Sequence, residues 1–461
     1  MRTAFARLVL ASCLLAFLVA IATFSVTVKF AGSLIWSDGV VYFLYARAVV
    51  LDRSIDITEG YDLLDKRFPA RSEMMGPVRR WSVRGTSGKV LATWPAGAGI
   101  ALAPFYAAGY AVERARAALS GGTADSLGVI TQYFFGLGSV AYALLGFWAM
   151  FVVSRAVAGA KAAYISSTCI AFASPLVFYV FVNPSMAHAV SFGLVAVLTL
   201  LWWRAWNTGF GAAQMVAMGL VLGALFTIRY QNALFGIMLV ALAGRGASKD
   251  IAVRFRACVV GAAACLVPIV LVNVPSFLAA QHAARLAIVD GVLHVGAYAV
   301  DMRSPFFFEG FLSCRQGTFH WSPVLAAGLA GLAWAARTKQ AWPWPLIATV
   351  LAHGWLIGGL RVAGAPEGLD WNEHWDGATS FGMRYMVECI PLFALGLAVL
   401  VRSAVGTRAG MLCCLGAGAC LIAWNGLLTL AYALGTISHS YCVTYAEMVK
   451  GVGRALTQFV R

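Results

Sequence analysis

Residues 411–434 read MLCCLGAGACLIAWNGLLTLAYAL, a run with no charged side chain. As a helix rising about 1.5 Å per residue, it is long enough to cross a hydrocarbon core roughly 30 Å thick. Two more runs say the same: LVLASCLLAFLVAIATF at 8–24 and ACVVGAAACLVPIVLVNV at 257–274. None alternates apolar with polar residues, so a transmembrane barrel is excluded. Backbone groups in hydrocarbon need partners within their own segment, and the helix supplies them.

Composition agrees. Of 461 residues 61% are hydrophobic and 11% charged, against about 25% charged in soluble domains. No soluble fold of this length hides so much apolar surface. The net charge of +15 would suggest nucleic acid in a soluble chain. Here the basic residues sit in loops between apolar runs, where they act as topology signals and as contacts to lipid phosphate, so no nucleic-acid partner is expected.

Apolar windows of membrane-crossing length lie near 8–28, 127–153, 160–181, 188–205, 213–228, 231–246, 257–276, 322–336, 344–361, 385–402 and 411–434. The expectation is an all-α polytopic membrane protein with about eleven spans (range about 10–12), forming one transmembrane domain over 1–461. The N-terminal run is too long for a signal-peptide core and reads as a retained anchor. Arg155, Lys161, Arg204, Arg245, Lys249, Arg337, Lys339, Arg402 and Arg408 fall on one side, which the positive-inside rule makes cytoplasmic. The segments 29–125, 277–321 and 362–384 and the tail 435–461 then lie outside. Within the first, WPAGAGIALAPFYAAGYAVERARAAL is interrupted by Pro95, Pro104 and glycines, and reads as a helix in the outer interface. Most of the ten cysteines sit in apolar runs as small core residues. Cys314 and Cys442 fall in outer segments, where a disulfide is open to them; spacing does not test it.

The polar chemistry gathers on that outer side. Asp38 follows the first span, with Tyr42, Tyr45 and Arg47 at helical spacing. Its carboxylate fits either of two roles: N-cap, with Ser37, of the helix VVYFLYARAVVL, or general base at the membrane surface. Lys66, Arg67, Arg71, Arg79, Arg80, Arg84 and Lys89 form a basic run suited to phosphate oxygens, or simply to an anionic lipid surface. His188 ends NPSMAH where a span re-enters. Arg229 interrupts two apolar stretches, a costly place for a charge unless it is paired or functional. EGFLSCRQGTFHWSP brings Glu309, Arg315 and His320 before a span, and LDWNEHWDGATSFGMRY brings Asp370, Glu373, His374, Asp376 and Arg384 before another. Glu373, His374 and Asp376 have the donor types for a divalent metal, but a hydrogen-bonded loop accounts for them better. The spans are nearly free of acids, with Glu388 near a boundary as the exception, which argues against ion-coupled transport.

A first span, an aspartate just outside it, tyrosines and an interfacial helix together resemble the GT-C superfamily of integral-membrane glycosyltransferases. That superfamily includes the protein O-mannosyltransferases and the lipid A aminoarabinose transferase. WPAGAGIALAPFYAAGY, FLSCRQGTFHWSPVLAAGLAGL and WDGATSFGMRYMVECIPLFALGLA are similar to segments of bacterial members, in the same order along most of the chain. The resemblance implies a multi-pass protein of the bacterial inner membrane with its active site on the periplasmic side. It implies a sugar donor on polyprenyl phosphate and a glycan, lipid or protein acceptor. Asp38 would be the base, His188 a second catalytic candidate, and Tyr42, Tyr45, Arg67, Arg71, Arg80, Arg229, Arg315, His320, Glu373, His374, Asp376 and Arg384 the substrate-binding set.

The chain departs from the family pattern twice. Gly39 follows Asp38 where many members carry a second acid, and NPSMAHA offers only His188 where many carry another. A metal-dependent mechanism is therefore not favoured, and arginine-assisted departure of the phosphate fits better. Two rivals remain open: a flippase for lipid-linked glycans, which would need a cationic path through the bilayer, and an O-antigen ligase or polymerase, which would place its dominant outer loop late in the chain. Cysteines introduced at Arg84 and Ser120 should react with a membrane-impermeant maleimide applied to the outer face, above the native-cysteine background. Labelling of both only after the membrane is opened would invert the topology.

Overall fold

The computed structural model describes residues 2–67, 82–84, 88–92, 94–245, 251–280, 286–289, 292–295, 298–362, 380–438 and 441–460. Helices form in every apolar window. In chain order they are α1 (Arg2–Ala31), α2 (Asp38–Arg47, prolonged by a π turn over Ala48–Asp52), α3 (Thr58–Arg67), α4 (Gly97–Ser120), α5 (Val129–Ala158), α6 (Ala160–Phe172), α7 (His188–Thr208), α8 (Ala212–Ile228), α9 (Gly236–Arg245) and α10 (Ile251–Ala280). Then come two short turns, α11 (Glu309–Leu312) and α12 (Thr318–Trp321), followed by α13 (Pro323–Arg337), α14 (Pro343–Gly359), α15 (Ile390–Ala404), α16 (Arg408–Ala433) and α17 (Tyr445–Val460). The protein is a polytopic α-helical membrane protein. Among the described residues, Val129–Ala158, His188–Thr208, Phe255–Val272, Arg384–Ala404 and Arg408–Ala433 are long and apolar enough to cross a bilayer. Shorter apolar helices run over Leu14–Lys29, Ala212–Ile228 and Pro323–Arg337.

Burial sorts these helices into two kinds. α7 and α15 are enclosed by the others, whereas α10 and α16 expose most of their apolar side chains, Leu266, Leu271, Leu412 and Leu415 among them. A side chain that is apolar and outward has lipid as its natural solvent. Without a water-driven force between helices, close backbone approach holds the bundle, and small residues allow it. On α13 and α15, a Cβ on Gly331 would strike the Gly396 carbonyl oxygen, and one on Gly396 would strike that of Gly328. On α8 and α10, Gly219 meets the Gly261 carbonyl and Gly223 that of Cys265 in the same way.

Strands add what the periodicities do not announce. β1 (Ser82–Arg84) pairs antiparallel with β2 (Val90–Ala92) in the first loop. β3 (Leu286–Val289), β4 (Val292–Val295) and β5 (Tyr298–Asp301) form an antiparallel meander. β6 (Leu360–Val362) then closes on β5, with Val300 opposite Leu360. This sheet ties the expected outer segment 277–321 to the end of the 344–361 window. Cys314 and Cys442 are disulfide-bonded across 128 residues of sequence, which closes the alternative left open above.

Filling the α13–α15 seam should be costly. Gly396→Val is expected to destabilise the protein by about 1–3 kcal/mol, the usual cost of overpacking, read as a lower midpoint of thermal unfolding in detergent. An unchanged midpoint would mean that this seam is loose.

Candidate functional site

The first span hands the chain to α2 through residues 32–37, and one side chain of α5 fixes that turn. The Gln132 carboxamide oxygen accepts the Leu34 N–H at 2.9 Å and the Ser33 hydroxyl at 3.1 Å, while its amide donates to Leu127 O at 2.9 Å. Ser37 then takes a left-handed backbone conformation, φ 55°. L-residues with side chains adopt this conformation rarely, and surrounding contacts must impose it. Gly39 lies flat on the 183–188 turn: a Cβ there would run into the Ser185 hydroxyl and stand 3.0 Å from its carbonyl carbon. Gly39 thus leaves no room for a side chain, and so for a second acid, directly after Asp38.

The capping role open to Asp38 is not realised. α2 begins at Asp38, and Ser37 at its N-cap makes no side-chain capping bond. The Asp38 carboxylate instead accepts from the Ser37 hydroxyl at 3.2 Å and from Arg384 Nη1 at 3.2 Å. Both members of this ion pair are about nine-tenths buried.

Arg384 opens a 3₁₀ turn over Arg384–Cys389 that leads into α15, with Pro391 in its first turn. Side chains three apart eclipse in a 3₁₀ turn, so Tyr385 and Glu388 share a side. Arg384 Nη2 donates to the Tyr385 hydroxyl at 3.0 Å, and the guanidiniums of Arg384 and Arg229 each lie 5.0 Å from the Tyr385 ring centroid. Arg229 ends α8 in extended backbone, φ −153°, and a 3₁₀ turn over Tyr230–Phe235 follows. The break in the apolar run turns its side chain inward. Its Nη1 donates to His188 Nε2 at 3.0 Å, and its Nε lies 3.4 Å from Glu388 Oε1. His188, the first residue of α7, donates from Nδ1 to the same carboxylate oxygen at 3.1 Å. With one nitrogen accepting from a guanidinium and the other donating to a carboxylate, the imidazole is neutral and its tautomer fixed.

Two carboxylates and two guanidiniums therefore meet in one patch. Asp38 and Arg384 stand at its lip, and Arg229, His188 and Glu388 lie deeper. Tyr42 lies within electrostatic reach of Asp38, Arg229 and Arg384. Among the described residues, two polar atoms of this patch have no hydrogen-bond partner: Arg384 Nε and Glu388 Oε2. Buried orphans of this kind mark places where a bound group or water completes the set.

The structure brings together Asp38, Tyr42, His188, Arg229 and Arg384, residues from four separate parts of the chain. The remaining candidates lie elsewhere. Tyr45 turns to Trp94 O, 3.3 Å away. Arg67 pairs with Asp125 at 2.7 Å on the exposed face of the first loop. His320 donates from Nε2 to Val443 O at 2.8 Å and its ring lies tilted against Tyr445, which makes it a pin for the tail. Arg315 sits on the turn whose Gln316 accepts from Ser380 at 3.2 Å, next to the site. Arg71, Arg80, Glu373, His374 and Asp376 lie outside the described residues. Among the described residues no three His, Cys, Asp or Glu side chains group as a metal site would require. Glu388 and Tyr385 were missed as site residues. The signal for Glu388 was present, since an acid in an apolar run is costly unless it has a partner.

No family model and no curated protein sequence matches the chain. Among solved structures it is similar to ArnT from Cupriavidus metallidurans bound to undecaprenyl phosphate, at 13% identity and TM-score 0.49, over 100% of this chain and 76% of that one. The apo state of the same protein matches at TM-score 0.47 and 13% identity, over 99% and 74%. The chain is also similar to the archaeal oligosaccharyltransferase AglB from Archaeoglobus fulgidus, in complex with an inhibitory peptide and a dolichol-phosphate, at 13% identity and TM-score 0.44. That match covers 96% of this chain and 54% of that one.

Removing Glu388 should leave Arg229 buried without its carboxylate. Glu388→Ala is expected to cost about 3–5 kcal/mol, as for one partner removed from a buried pair, measured by thermal unfolding in detergent. A loss under about 1 kcal/mol would show that water reaches and screens this patch.

Proposed function

We propose that the protein is an integral-membrane glycosyltransferase that moves a sugar from a polyprenyl-phosphate donor to an acceptor hydroxyl on the extracytoplasmic side. The observation that carries this reading is the Asp38–Arg384 ion pair: a carboxylate free of any capping duty, held by a guanidinium whose Nε has no partner among the described residues. The donor class comes from the residue resemblance, and the geometry supplies a way to use it.

A donor phosphate entering beside Arg384 competes with Asp38 for the same guanidinium. Guanidinium forks match phosphate oxygens, and charge-assisted bonds of this kind are about twice as strong as neutral ones. Arg384 turning to the phosphate releases the Asp38 carboxylate. Asp38 then takes the proton of the acceptor hydroxyl as that oxygen attacks the anomeric carbon. The bond from the anomeric carbon to the phosphate oxygen breaks, its electron pair stays with the oxygen, and polyprenyl phosphate leaves. Arg384 and Arg229 stabilise the charge that gathers there. Glu388 keeps Arg229 aimed, and His188, neutral and bonded at both nitrogens, holds the two in register. In this reading His188 positions rather than transfers a proton. The apolar surround strengthens each of these interactions by excluding water.

Membranes carrying the native chain or Asp38→Asn, at matched protein level, should be offered a panel of radiolabelled polyprenyl-phosphate sugars. The native chain is expected to transfer label and release polyprenyl phosphate, and the Asn variant to lose about a hundredfold or more, as removal of a general base predicts. Equal transfer by both would move the base to another residue. Donor crossing the bilayer unconsumed would replace the transferase reading with a flippase.

A further inference from the structure

The C-terminal helix is built to a different plan from the others. Past α16 the chain turns at Gly435, φ 66°, and Thr436 ties the turn down. The Thr436 hydroxyl lies 2.9 Å from Gly451 O, and its carbonyl accepts from Arg454 Nη2 at 2.9 Å. Three further bonds hold the chain before α17: the Cys314–Cys442 disulfide, the Val443 N–H donating to Cys314 O at 3.1 Å, and His320 donating to Val443 O. A capping box then starts α17. The Glu447 carboxylate accepts the Thr444 N–H at 2.8 Å and the Glu447 N–H donates to the Thr444 hydroxyl at 3.3 Å. The Thr444 N–H and the Thr444 hydroxyl, both donating to it at 2.8 Å, hold the Glu447 carboxyl below the usual carboxylate range.

At about 100° per residue, α17 divides into three faces. Met448, Gly451, Val452 and Ala455 are buried against the body, and Gly451 has no space for a Cβ beside Ile437. Next to them lies a second apolar strip that the protein does not cover: Tyr445 is 51% exposed, Val449 59% and Leu456 44%. The third face is polar, with Lys450, Arg454, Thr457 and Gln458 exposed. Glu447 is the only acid of α17 among the described residues, against Lys450 and Arg454, so the face carries a net positive charge. α17 packs beside α16, itself a helix whose outward side chains are mostly apolar.

We propose that α17 is an interfacial helix seated on a leaflet of anionic phospholipid. Tyr445, Val449 and Leu456 dip into the boundary between headgroups and acyl chains, and Lys450 reaches the headgroup phosphates. A helix with one apolar strip, a basic polar face and a tyrosine at its end is the form that lies in a membrane surface rather than across it. Charge complementarity selects anionic headgroups over neutral ones. The disulfide and His320 fasten this seated helix to the turn 314–321, whose Gln316 and Trp321 touch Ser380 and Phe381.

The test places an environment-sensitive fluorescent amino acid at Val449 or, as control, at Thr457, in the full chain reconstituted in vesicles. Vesicles are of phosphatidylcholine alone or mixed 3:1 with phosphatidylglycerol, with and without brominated acyl chains. The probe at 449 should be quenched by brominated lipid several-fold more than the probe at 457, and more so with phosphatidylglycerol present. Lys450→Gln should reduce that gain. Equal and weak quenching at both positions would overturn the seating. Quenching at 449 that is equal in both lipids would overturn the preference for anionic headgroups. Energy transfer between differently labelled copies, with no lipid quenching, would replace the leaflet with a second copy of the chain as the occupant.

Discussion

A guanidinium placed among apolar helices is tolerated only when a carboxylate meets it, because an unpaired charge in that setting costs several kcal/mol. Arg229 and Arg384 meet this demand through Glu388 and Asp38. Satisfying it gathers the ends of α1, α7 and α8 and the turn before α15 at one place. The Gln132 bonds that fix the 32–37 turn, the left-handed Ser37 and the packing of Gly39 on Ser185 all serve to deliver one carboxylate to one cation. The two carboxylates and the two guanidiniums balance, and Arg384 Nε has no partner among the described residues.

The helices were legible because lipid imposes length and apolarity together. The window at 257–276 became α10, and that at 411–434 became α16. The window at 231–246 became a 3₁₀ turn and a short helix, since Arg229 and the polar pair Gln231 and Asn232 prevent one continuous span there. The sheet was not legible. Its strands are three or four residues long, and β6 joins β5 from about sixty residues further along the chain. No local period signals such a pairing.

Of the site, the residues legible alone were those whose type is out of place, such as Arg229 in an apolar run and Asp38 at a membrane boundary. Their partnerships were not legible. Asp38 and Arg384 are 346 positions apart, and His188 and Glu388 are 200 apart. The basic run of the first loop suggested phosphate ligands by density of charge. Yet Arg67 and Arg84 are drawn to Asp125 and Asp62 in that same loop. Local neutralisation can absorb a cluster that composition alone would assign to a ligand.

The contact between Gly39 and Ser185 limits how this site can be altered. Adding a second carboxylate beside Asp38 requires more than a change at position 39, because the 183–188 turn must withdraw at the same time. That turn also carries His188, and through it Glu388 and Arg229. A two-acid version of this site is thus separated from the present one by at least two coupled substitutions, the first of which would disturb the paired cations Arg229 and Arg384 before the new acid could serve. Libraries of single substitutions at position 39 will sample only losses, and a redesign has to move both sides of the contact together.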